Sequence, residues 1–361
     1  MAKLGVGVLG YGSMGRTHSF AYKVLPLFDS KIADTRLVSV FGRTENNVKR
    51  FAEEYGFDTY STSWKKVVED ERVAVISICT PPSEHPEPAI EALRNGKNVV
   101  CEKPLAASLG EAEKMVKAAE KSGGFSMPMF NYRFRPAIQY AKKLIERGFL
   151  GDIYRFLCSW PKTSYVYPKR YSSWKDKLKP SGGGSLLDLG VHSADMARFL
   201  VGDVKEVSAA TAIYIRERPV KGTEEPEKVE TEDTGMVIMK FANGSLGFLE
   251  ATKVATGQDD VRIEINGSEG SISWNLEDPN VLRTFSVRDQ ELGWKSIRVS
   301  NFYPYVEDVF QSHLAGIHYF LECLEKDEKP KTSFEDGLRA QEIIDAAYRS
   351  SREGKWVSLS Q

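Results

Sequence analysis

The glycine-rich segment at positions 10–15 constrains the fold of this chain more than any other feature of its sequence. It reads Gly-Tyr-Gly-Ser-Met-Gly, follows the short apolar run Leu4–Leu9, and precedes a helical pattern that we expect to end near Leu25, before Pro26. In such a strand–turn–helix unit the glycines permit a tight turn, backbone approach to a pyrophosphate, and close packing of helix on strand. The segment therefore predicts a dinucleotide-binding turn whose contacts come from Gly10, Gly12, Ser13, Met14 and Gly15.

The first third of the chain alternates apolar strands with helical patterns. Further strands are predicted at Leu37–Phe41, Ala74–Cys79, Asn98–Cys101 and Phe125–Asn131. Helices are predicted between them at Thr44–Tyr55, Pro86–Asn95 and Ser108–Lys121. Because such alternation is typical of parallel sheets with right-handed crossovers, we predict an α/β domain over residues 1–133 with a Rossmann-type, doubly wound parallel sheet.

After Pro136 the pattern changes to long alternating strands. We predict strands at 153–160, 204–215, 235–241, 245–252, 261–266 and 271–276, with helices at 137–147 and 186–200. Asn243-Gly244 separates two of these strands and indicates a hairpin turn. The charged segment 217–232 contains two prolines and is interpreted as an exposed loop.

Two amphipathic helices, at 306–324 and 335–351, close the chain. Together these elements predict a second, α+β domain over residues 134–361 with a large, open, mainly antiparallel sheet. The C-terminal helix either belongs to this second domain or packs back on the first domain.

Composition excludes several classes of partner. The net charge is −1, which is too small to attract nucleic acid or an acidic membrane. The apolar residues of the N-terminus alternate with glycines and are too few to span a bilayer, and this segment lacks a signal-peptide pattern. None of the four cysteines lies in a Cys-x-x-Cys pair, which indicates reduced thiols, a cytoplasmic protein and no metal site.

The end of the second predicted strand bears on the choice of cofactor. It reads Gly42-Arg43-Thr44 and carries no acid to bind a ribose 2′-hydroxyl. Arg43, beside the Thr44 hydroxyl, can instead bind a 2′-phosphate, although a solvated arginine is the simple alternative. The pattern favours NADP(H) slightly and leaves NAD(H) open.

Three residues have the chemistry of a proton-transfer site. Lys103 follows the strand Asn98–Cys101, and so lies at the sheet edge where doubly wound folds bind ligands. Asp188 and His192 are four residues apart on a predicted helix, hence on one face and within reach of each other. An acid beside an imidazole suits general base catalysis because it fixes the tautomer and stabilises the imidazolium. A buried histidine satisfied by an acid one turn away is the structural alternative.

Several other residues have both a functional and a structural interpretation. Arg133, at the domain junction, can contact substrate or form a structural ion pair. Trp160 and Tyr171 belong to an aromatic stretch that can stack on a sugar or pack in the interior. His18 is expected to pack or to touch the ribose, and His313 to be a surface or packing residue.

More extended motifs accompany the glycine turn. They are Thr80-Pro81-Pro82-Ser83-Glu84-His85, Glu102-Lys103-Pro104, Asp188-x-Gly190-x-His192, Phe334-Glu335-Asp336-Gly337 and Gly354-Lys355-Trp356-Val357. With these motifs over nearly its whole length, the sequence resembles the glucose–fructose oxidoreductase and inositol dehydrogenase family (Gfo/Idh/MocA).

The resemblance implies an NAD(P)-dependent oxidoreductase that transfers hydride between the nicotinamide and a secondary alcohol or ketone of a sugar, cyclitol or related polyol. It implies that His192 contacts substrate as the general base, that Lys103 holds the substrate oxygen or transfers the proton itself, and that Asp188 binds substrate or orients the base. It also implies a cis bond before Pro104 and homodimers or homotetramers formed through the second sheet. The cofactor contacts that it adds are Thr80, Pro81, Pro82, His85, Glu102 and Lys103.

Two other function classes remain open on the same scaffold. One is a glycosidase that uses tightly bound NAD for transient oxidation of its substrate. The other is a non-catalytic sensor of a sugar or dinucleotide, which the presence of Lys103, Asp188 and His192 disfavours.

Overall fold

The computed structural model describes residues 3–29, 31–167, 170–223, 225–300, 303 and 308–359. The chain divides into two units. The first consists of Met1–Asn131 and Tyr303–Leu338, and the second of Tyr132–Phe302 and Arg339–Gln361.

The first unit begins with regularly alternating strands and helices. Its elements are β1 Leu4–Leu9, α1 Ser13–Phe28, β2 Thr35–Phe41, α2 Glu45–Tyr55, β3 Thr59–Ser61, α3 Trp64–Val68, β4 Val75–Ile78, α4 Pro86–Arg94, β5 Asn98–Cys101, α5 Leu109–Lys121 and β6 Ser126–Pro128. The strands form one parallel sheet in the order β3-β2-β1-β4-β5-β6. This order confirms the predicted doubly wound sheet. Successive strands are added on one side of β1 up to β3 and on its other side from β4 onward, so the strand order reverses between β1 and β4.

The apolar composition of the central strands follows from burial on both faces. Val6 and Val8 of β1 and Ile76 of β4 are fully buried, as expected for parallel strands covered by helices. The short strand β3 was not predicted, because Thr59–Ser61 shows no apolar pattern and its first two residues are exposed.

Helix α1 is longer than predicted. It continues through Pro26 to Phe28 instead of ending near Leu25. Proline lacks the N–H that would bond to the carbonyl of Tyr22, four residues earlier. The hydroxyl of Thr35 donates to that carbonyl instead, so the helix tolerates the proline in its last turns.

The second unit is built on a large sheet. Its elements are α6 Pro136–Glu146, β7 Ile153–Pro161, α7 Leu178–Ser181, a π-helical turn at Leu186–Gly190, α8 Val191–Leu200, β8 Val204–Ala212, β9 Glu217–Pro219, β10 Pro226–Lys228, β11 Thr234–Phe241, β12 Leu246–Thr252, β13 Arg262–Gly267, β14 Gly270–Asn275, β15 Val281–Ser286, β16 Lys295–Arg298 and β17 Val357–Ser358. Nine strands pair in the order β16-β15-β14-β13-β7-β12-β11-β8-β17. All these pairs are antiparallel except β7 with β12, so the prediction of a mainly antiparallel sheet is confirmed.

One face of this sheet is covered by helices α6 and α8. Strand β11 shows the resulting alternation, with Val237 and Met239 buried and Met236 and Ile238 exposed. The hairpin predicted at Asn243-Gly244 joins β11 to β12, and Gly244 has a φ of 88°, which glycine adopts readily.

The segment 217–232 is not the simple loop that we predicted. It contains the hairpin β9–β10, in which Arg218 pairs with Glu227. The hydrophobic pattern could not predict this hairpin because its buried side chain is the charged Arg218, which is 2% exposed.

Two helices precede the last strand, β17. Helix α9, Asp308–Lys326, packs against α1 within the first unit, and the first two residues of the helix predicted at 306–324 lie outside the described residues. Helix α10, Phe334–Glu353, begins in the first unit and ends in the second. Within the described part of the chain, no helix has the length and apolar character needed to cross a membrane.

Candidate active site

The three glycines of the N-terminal turn meet different surroundings. Gly10 has a φ of 108°, and a Cβ there would lie 2.8 Å from the carbonyl oxygen of Cys79. A Cβ on Gly15 would lie 2.1 Å from the carbonyl oxygen of Gly10, so the helix packs as closely as predicted. At Gly12 no described atom lies within 4 Å of the Cβ position. The turn therefore leaves open space at the one glycine expected to face a pyrophosphate, and Ser13 and Met14 begin α1 beside it.

The ribose end of the predicted site is formed around Tyr11. Its ring lies against Gly42, where a Cβ would come within 2.2 Å of two ring carbons. A hydrogen bond with Thr44 lowers the pKa of the Tyr11 hydroxyl, which Asn47 and the charge of Arg43 lower further. Arg43 itself is 77% exposed, and its guanidinium lies 3.6 Å from the carboxylate of Glu84.

A buried carboxylate lies at the end of β5. Glu102 is 5% exposed, and its Oε1 lies 3.0 Å from Nε2 of His18 and 3.6 Å from Nε2 of His313. Burial raises the pKa of Glu102, but the two histidines outweigh this effect and hold that pKa well below its usual range. Oε2 accepts the backbone N–H of Lys103 at 3.2 Å. Glu102 therefore fixes the segment that carries Lys103.

His18 packs as one of its two interpretations predicted, but the partners of His18 and His313 were not evident from the sequence. His313 was expected to be a surface or packing residue, but its ring faces Glu102. His18 packs in the interior, with Nδ1 2.6 Å from the hydroxyl of Ser77. These partners come from α1, β4 and α9, which are distant in sequence.

His85 is fully buried and holds two turns together. Its Nε2 lies 2.7 Å from the carbonyl of Thr80, and its Nδ1 lies 3.1 Å from that of Pro104. Burial lowers the pKa of His85, although the surrounding carbonyls oppose this. The buried ring therefore supports the turn instead of lining a ligand surface, whereas contacts from Thr80, Pro81 and Pro82 stay a prediction. The Lys103–Pro104 bond is cis, as the resemblance implied.

In the second unit, His192 is held between aromatic rings. It is 5% exposed and stacks on Trp160, with ring centroids 5.0 Å apart and an interplanar angle of 25°. Tyr132 meets the His192 ring edge-on at 5.2 Å. Trp160 is only 4% exposed, so it supports the imidazole and does not offer a broad face to substrate, whereas Tyr171 is 40% exposed.

Asp188 lies in the π-helical turn that precedes α8, between two lysines that the sequence analysis missed. Nζ of Lys175 is 2.9 Å from Oδ2 of Asp188, and Nζ of Lys253 is 3.3 Å from the same oxygen. Two ammonium groups at these distances favour the ionised carboxylate. This arrangement suits a hydrogen-bond acceptor or orienting group better than a base.

The glycines before Asp188 allow another buried carboxylate to approach the backbone. Glu232 accepts the N–H groups of Gly184 and Leu186, each at 2.8 Å, and the hydroxyl of Tyr348 at 2.9 Å. A Cβ at Gly184 would lie 2.1 Å from the carbonyl oxygen of Glu232. Burial raises the pKa of Glu232, which these donors partly offset. Glu232 thus caps the segment that carries Asp188 and His192.

Arg133 forms the structural ion pair that was one of its two interpretations. Its guanidinium donates to both carboxylate oxygens of Asp195, with Nε 2.9 Å from Oδ2, and both residues are buried. The cation also lies 5.0 Å from the ring centroid of Phe199. We therefore interpret Arg133 as a structural residue. Among the residues that the structure describes, no group of three or more His, Cys, Asp and Glu side chains could hold a metal ion.

Comparison with known proteins identifies the family. Residues 4–130 match the model described as oxidoreductase family, NAD-binding Rossmann fold, and residues 142–359 match the oxidoreductase family, C-terminal alpha/beta domain. The chain belongs to the Gfo/Idh/MocA oxidoreductase family.

Relatives of this Gfo/Idh/MocA protein match it from end to end. Levoglucosan dehydrogenase from Pseudarthrobacter phenanthrenivorans is 33% identical over 100% of this chain and 99% of the relative. Myo-inositol 2-dehydrogenase from Thermotoga maritima is 28% identical over 99% of this chain and 98% of the relative. A structure of levoglucosan dehydrogenase in complex with NADH superposes with a TM-score of 0.95 at 31% identity and covers 100% of both chains.

These comparisons confirm the family that the motifs indicated and the class of enzyme. This Gfo/Idh/MocA protein is an oxidoreductase with a fold that binds a nicotinamide dinucleotide. The dinucleotide fits the structure, because the space at Gly12 and the exposed start of α1 are what a pyrophosphate requires.

Replacing Glu102 tests the buried cluster. We expect Glu102→Gln to lower the free energy of unfolding by about 2–3 kcal/mol at neutral pH, because the charge-assisted hydrogen bond with His18 and the electrostatic contact with His313 at 3.6 Å are lost. The pKa of Glu102 is lowered in the folded state, so its contribution is full above the unfolded pKa and is lost as the pH falls through the folded value. Urea unfolding at a series of pH values measures the difference in free energy of unfolding between wild type and Glu102→Gln. This difference should become smaller only at acidic pH.

The exposed Glu53 on α2 provides the control. Glu53→Gln should leave the unfolding midpoint unchanged at every pH. If Glu102→Gln behaves in the same way, the ionised cluster does not stabilise the first unit.

Proposed function

We propose that this protein oxidises a secondary alcohol of a sugar or cyclitol to a ketone, with hydride transfer to C4 of a nicotinamide, and catalyses the reverse reduction. The observation that carries the proposal is the end-to-end match to dehydrogenases named for levoglucosan and myo-inositol. The open glycine turn and the His192 site supply the two functions that this chemistry requires, namely binding of the dinucleotide and a proton acceptor.

His192 acts as the general base in this proposal. When the carbinol C–H bond breaks and its electron pair leaves as hydride, the O–H proton passes to the imidazole, so that charge balances. Stacking on Trp160 holds the ring plane in one orientation, which favours transfer to a fixed substrate.

Lys103 and Asp188 complete the proposed set of catalytic residues. Lys103 holds the substrate oxygen and stabilises the alkoxide charge that develops during proton loss. Its backbone is fixed by Glu102, so the ammonium is presented from a rigid segment. Asp188, held ionised between lysines, accepts a substrate hydrogen bond.

Loss of His192 should reduce turnover strongly and cofactor binding little. We expect His192→Ala to lower kcat about 10²–10⁴-fold, the usual contribution of general base catalysis, with levoglucosan or myo-inositol as substrate. Formation of reduced cofactor measures kcat, and fluorescence titration measures cofactor Kd. His318→Ala is the control, because His318 pairs with Asp29 in the first unit and has no proposed part in the reaction.

The same assay separates the competing functions. Near-wild-type turnover by His192→Ala would show that another group is the base. Hydrolysis of a chromogenic glycoside without net cofactor reduction would support the glycosidase alternative. Cofactor binding without any turnover would support the sensor.

We also propose that cofactor choice rests on Arg43, with NADP(H) slightly preferred. At the end of β2, Arg43 supplies a cationic donor for a 2′-phosphate, and the Thr44 hydroxyl beside it is a second donor once it leaves its hydrogen bond with Tyr11. Glu84 lies 3.6 Å from the Arg43 guanidinium, and its negative charge opposes phosphate binding. Because the charge of Glu84 opposes the attraction of Arg43 for the 2′-phosphate, the preference for NADP(H) over NAD(H) is small.

Two variants should move this preference in opposite directions. Arg43→Ala should raise the Kd for NADP⁺ about 10-fold or more, since a hydrogen-bonded charge pair is lost, and leave the Kd for NAD⁺ within about twofold. Glu84→Gln should lower the Kd for NADP⁺ by up to about fivefold, the range of an exposed pair. Equal changes for both cofactors would show that Arg43 does not determine the cofactor preference.

A homodimer or homotetramer formed through the large sheet is our proposal for the quaternary structure. On the uncovered face of the sheet, Met236, Ile238 and Leu246 are 45%, 48% and 54% exposed, and they lie on the adjacent strands β11 and β12. A contiguous apolar surface on a sheet is typical of a protein–protein contact.

A charge placed on this face should dissociate the assembly. We expect Ile238→Glu to shift the sedimentation coefficient to that of a monomer, because association would bury the carboxylate. Leu292→Glu is the control, since Leu292 is 69% exposed but lies outside the strands of the sheet. A monomeric wild-type protein, or an unchanged assembly in Ile238→Glu, would contradict the proposal.

A further inference from the structure

Asp188 has two lysine partners that differ in exposure. The side chain of Lys253 is 3% exposed, and its ammonium also lies 4.9 Å from the ring centroid of Tyr165. The side chain of Lys175 is 35% exposed, and its ammonium lies 3.2 and 2.9 Å from the two carboxylate oxygens. The buried Lys253 therefore balances the charge of Asp188 in the interior, whereas the side chain of Lys175 is partly exposed to solvent.

The backbone that carries Lys175 is fixed by hydrogen bonds. It lies in a short 3₁₀ turn, Trp174–Asp176, that begins with a capping box between Ser173 and Asp176. Its carbonyl oxygen accepts the hydroxyl of Thr231 at 3.0 Å. Burial lowers the pKa of Lys175, but Asp188 more than offsets this and the pKa lies above its usual value, so the side chain is a charged donor.

An aromatic face lies beside this pair. The ring of Trp174 is 41% exposed, and the Lys175 ammonium is 5.5 Å from its centroid. A carboxylate, an ammonium and an exposed indole together match the chemistry of a cyclic polyol. The carboxylate accepts from one hydroxyl, the ammonium donates to its neighbour, and the apolar C–H face packs on the ring.

We propose that Lys175 determines substrate specificity by binding, together with Asp188, two adjacent hydroxyls of a neutral cyclic polyol, with Trp174 against its C–H face. The inference rests on the proposed function, in which Asp188 accepts a substrate hydrogen bond and His192 is the base. The diol bound in this way neighbours the carbon that is oxidised. Lys253 keeps the carboxylate charged when Lys175 turns to the substrate.

Substitution of Lys175, combined with removal of single hydroxyls from the substrate, tests this inference. Lys175→Met is compared with wild type on levoglucosan, or on myo-inositol if it is turned over faster, and on each monodeoxy analogue of that compound. We expect Lys175→Met to lower kcat/KM on the parent compound about 10–100-fold, mainly through KM, the range for a hydrogen bond to a charged group. On the analogue that lacks the hydroxyl bound by Lys175, the same substitution should change kcat/KM by less than about threefold.

Two further variants distinguish recognition from a structural effect. Lys175→Arg keeps a cationic donor and should recover part of the loss on the parent compound. Lys179→Met removes an exposed lysine from the same segment and should match wild type on every compound. The urea unfolding midpoint of each variant reports whether the second unit, which carries these lysines, is folded.

The assay distinguishes failure of the Lys175 inference from failure of the proposed function. If wild type turns over the parent but Lys175→Met loses activity equally on all analogues, or loses none, this inference is wrong and the proposed function stands. If wild type reduces no cofactor with any polyol, the proposed function fails and this inference fails with it.

Discussion

The buried charge of Glu102 is the interaction on which the ligand edge of the first unit depends. An unpaired carboxylate in the interior would cost several kcal/mol, so its partners must be present whenever the unit is folded. Those partners are His18 on α1 and His313 on α9, and His18 in turn contacts Ser77 on β4. The cluster thus ties three elements to the end of β5, where the Lys103 backbone is bound to the same carboxylate.

The second unit uses the same device with different partners. Glu232 comes from the segment before β11 and binds the backbone that leads into α8, while Tyr348 of α10 donates to it. In both units a buried carboxylate holds a segment that carries a proposed catalytic side chain. Backbone N–H groups are suitable partners because they cannot move without unfolding the local turn. The geometry of the reactive groups is therefore set by residues that have no part in the chemistry.

Most of the fold could be predicted because it depends on local patterns. The period of the apolar residues and the glycine turn gave the doubly wound sheet, and alternation with Asn243-Gly244 gave the second sheet. Short polar elements such as β3 and the β9–β10 hairpin carry no such pattern. The proposed catalytic residues Lys103, Asp188 and His192 could be selected from their motifs. The contacts of Lys175, Lys253 and Glu232 could not be predicted, because no local pattern in the sequence links these residues to their partners.

The three glycines of the N-terminal turn are required for different reasons. Gly10 and Gly15 have no room for a side chain, because backbone atoms occupy the position of a Cβ. Gly12 has open space there, so the fold itself would accept alanine, and under the proposed function it is the bound dinucleotide that excludes a side chain. Selection on the first and third glycines thus acts through folding, and selection on the second acts through the ligand. A descendant of this chain that gave up its cofactor would keep Gly10 and Gly15, and Gly12 would be the first of the three to drift.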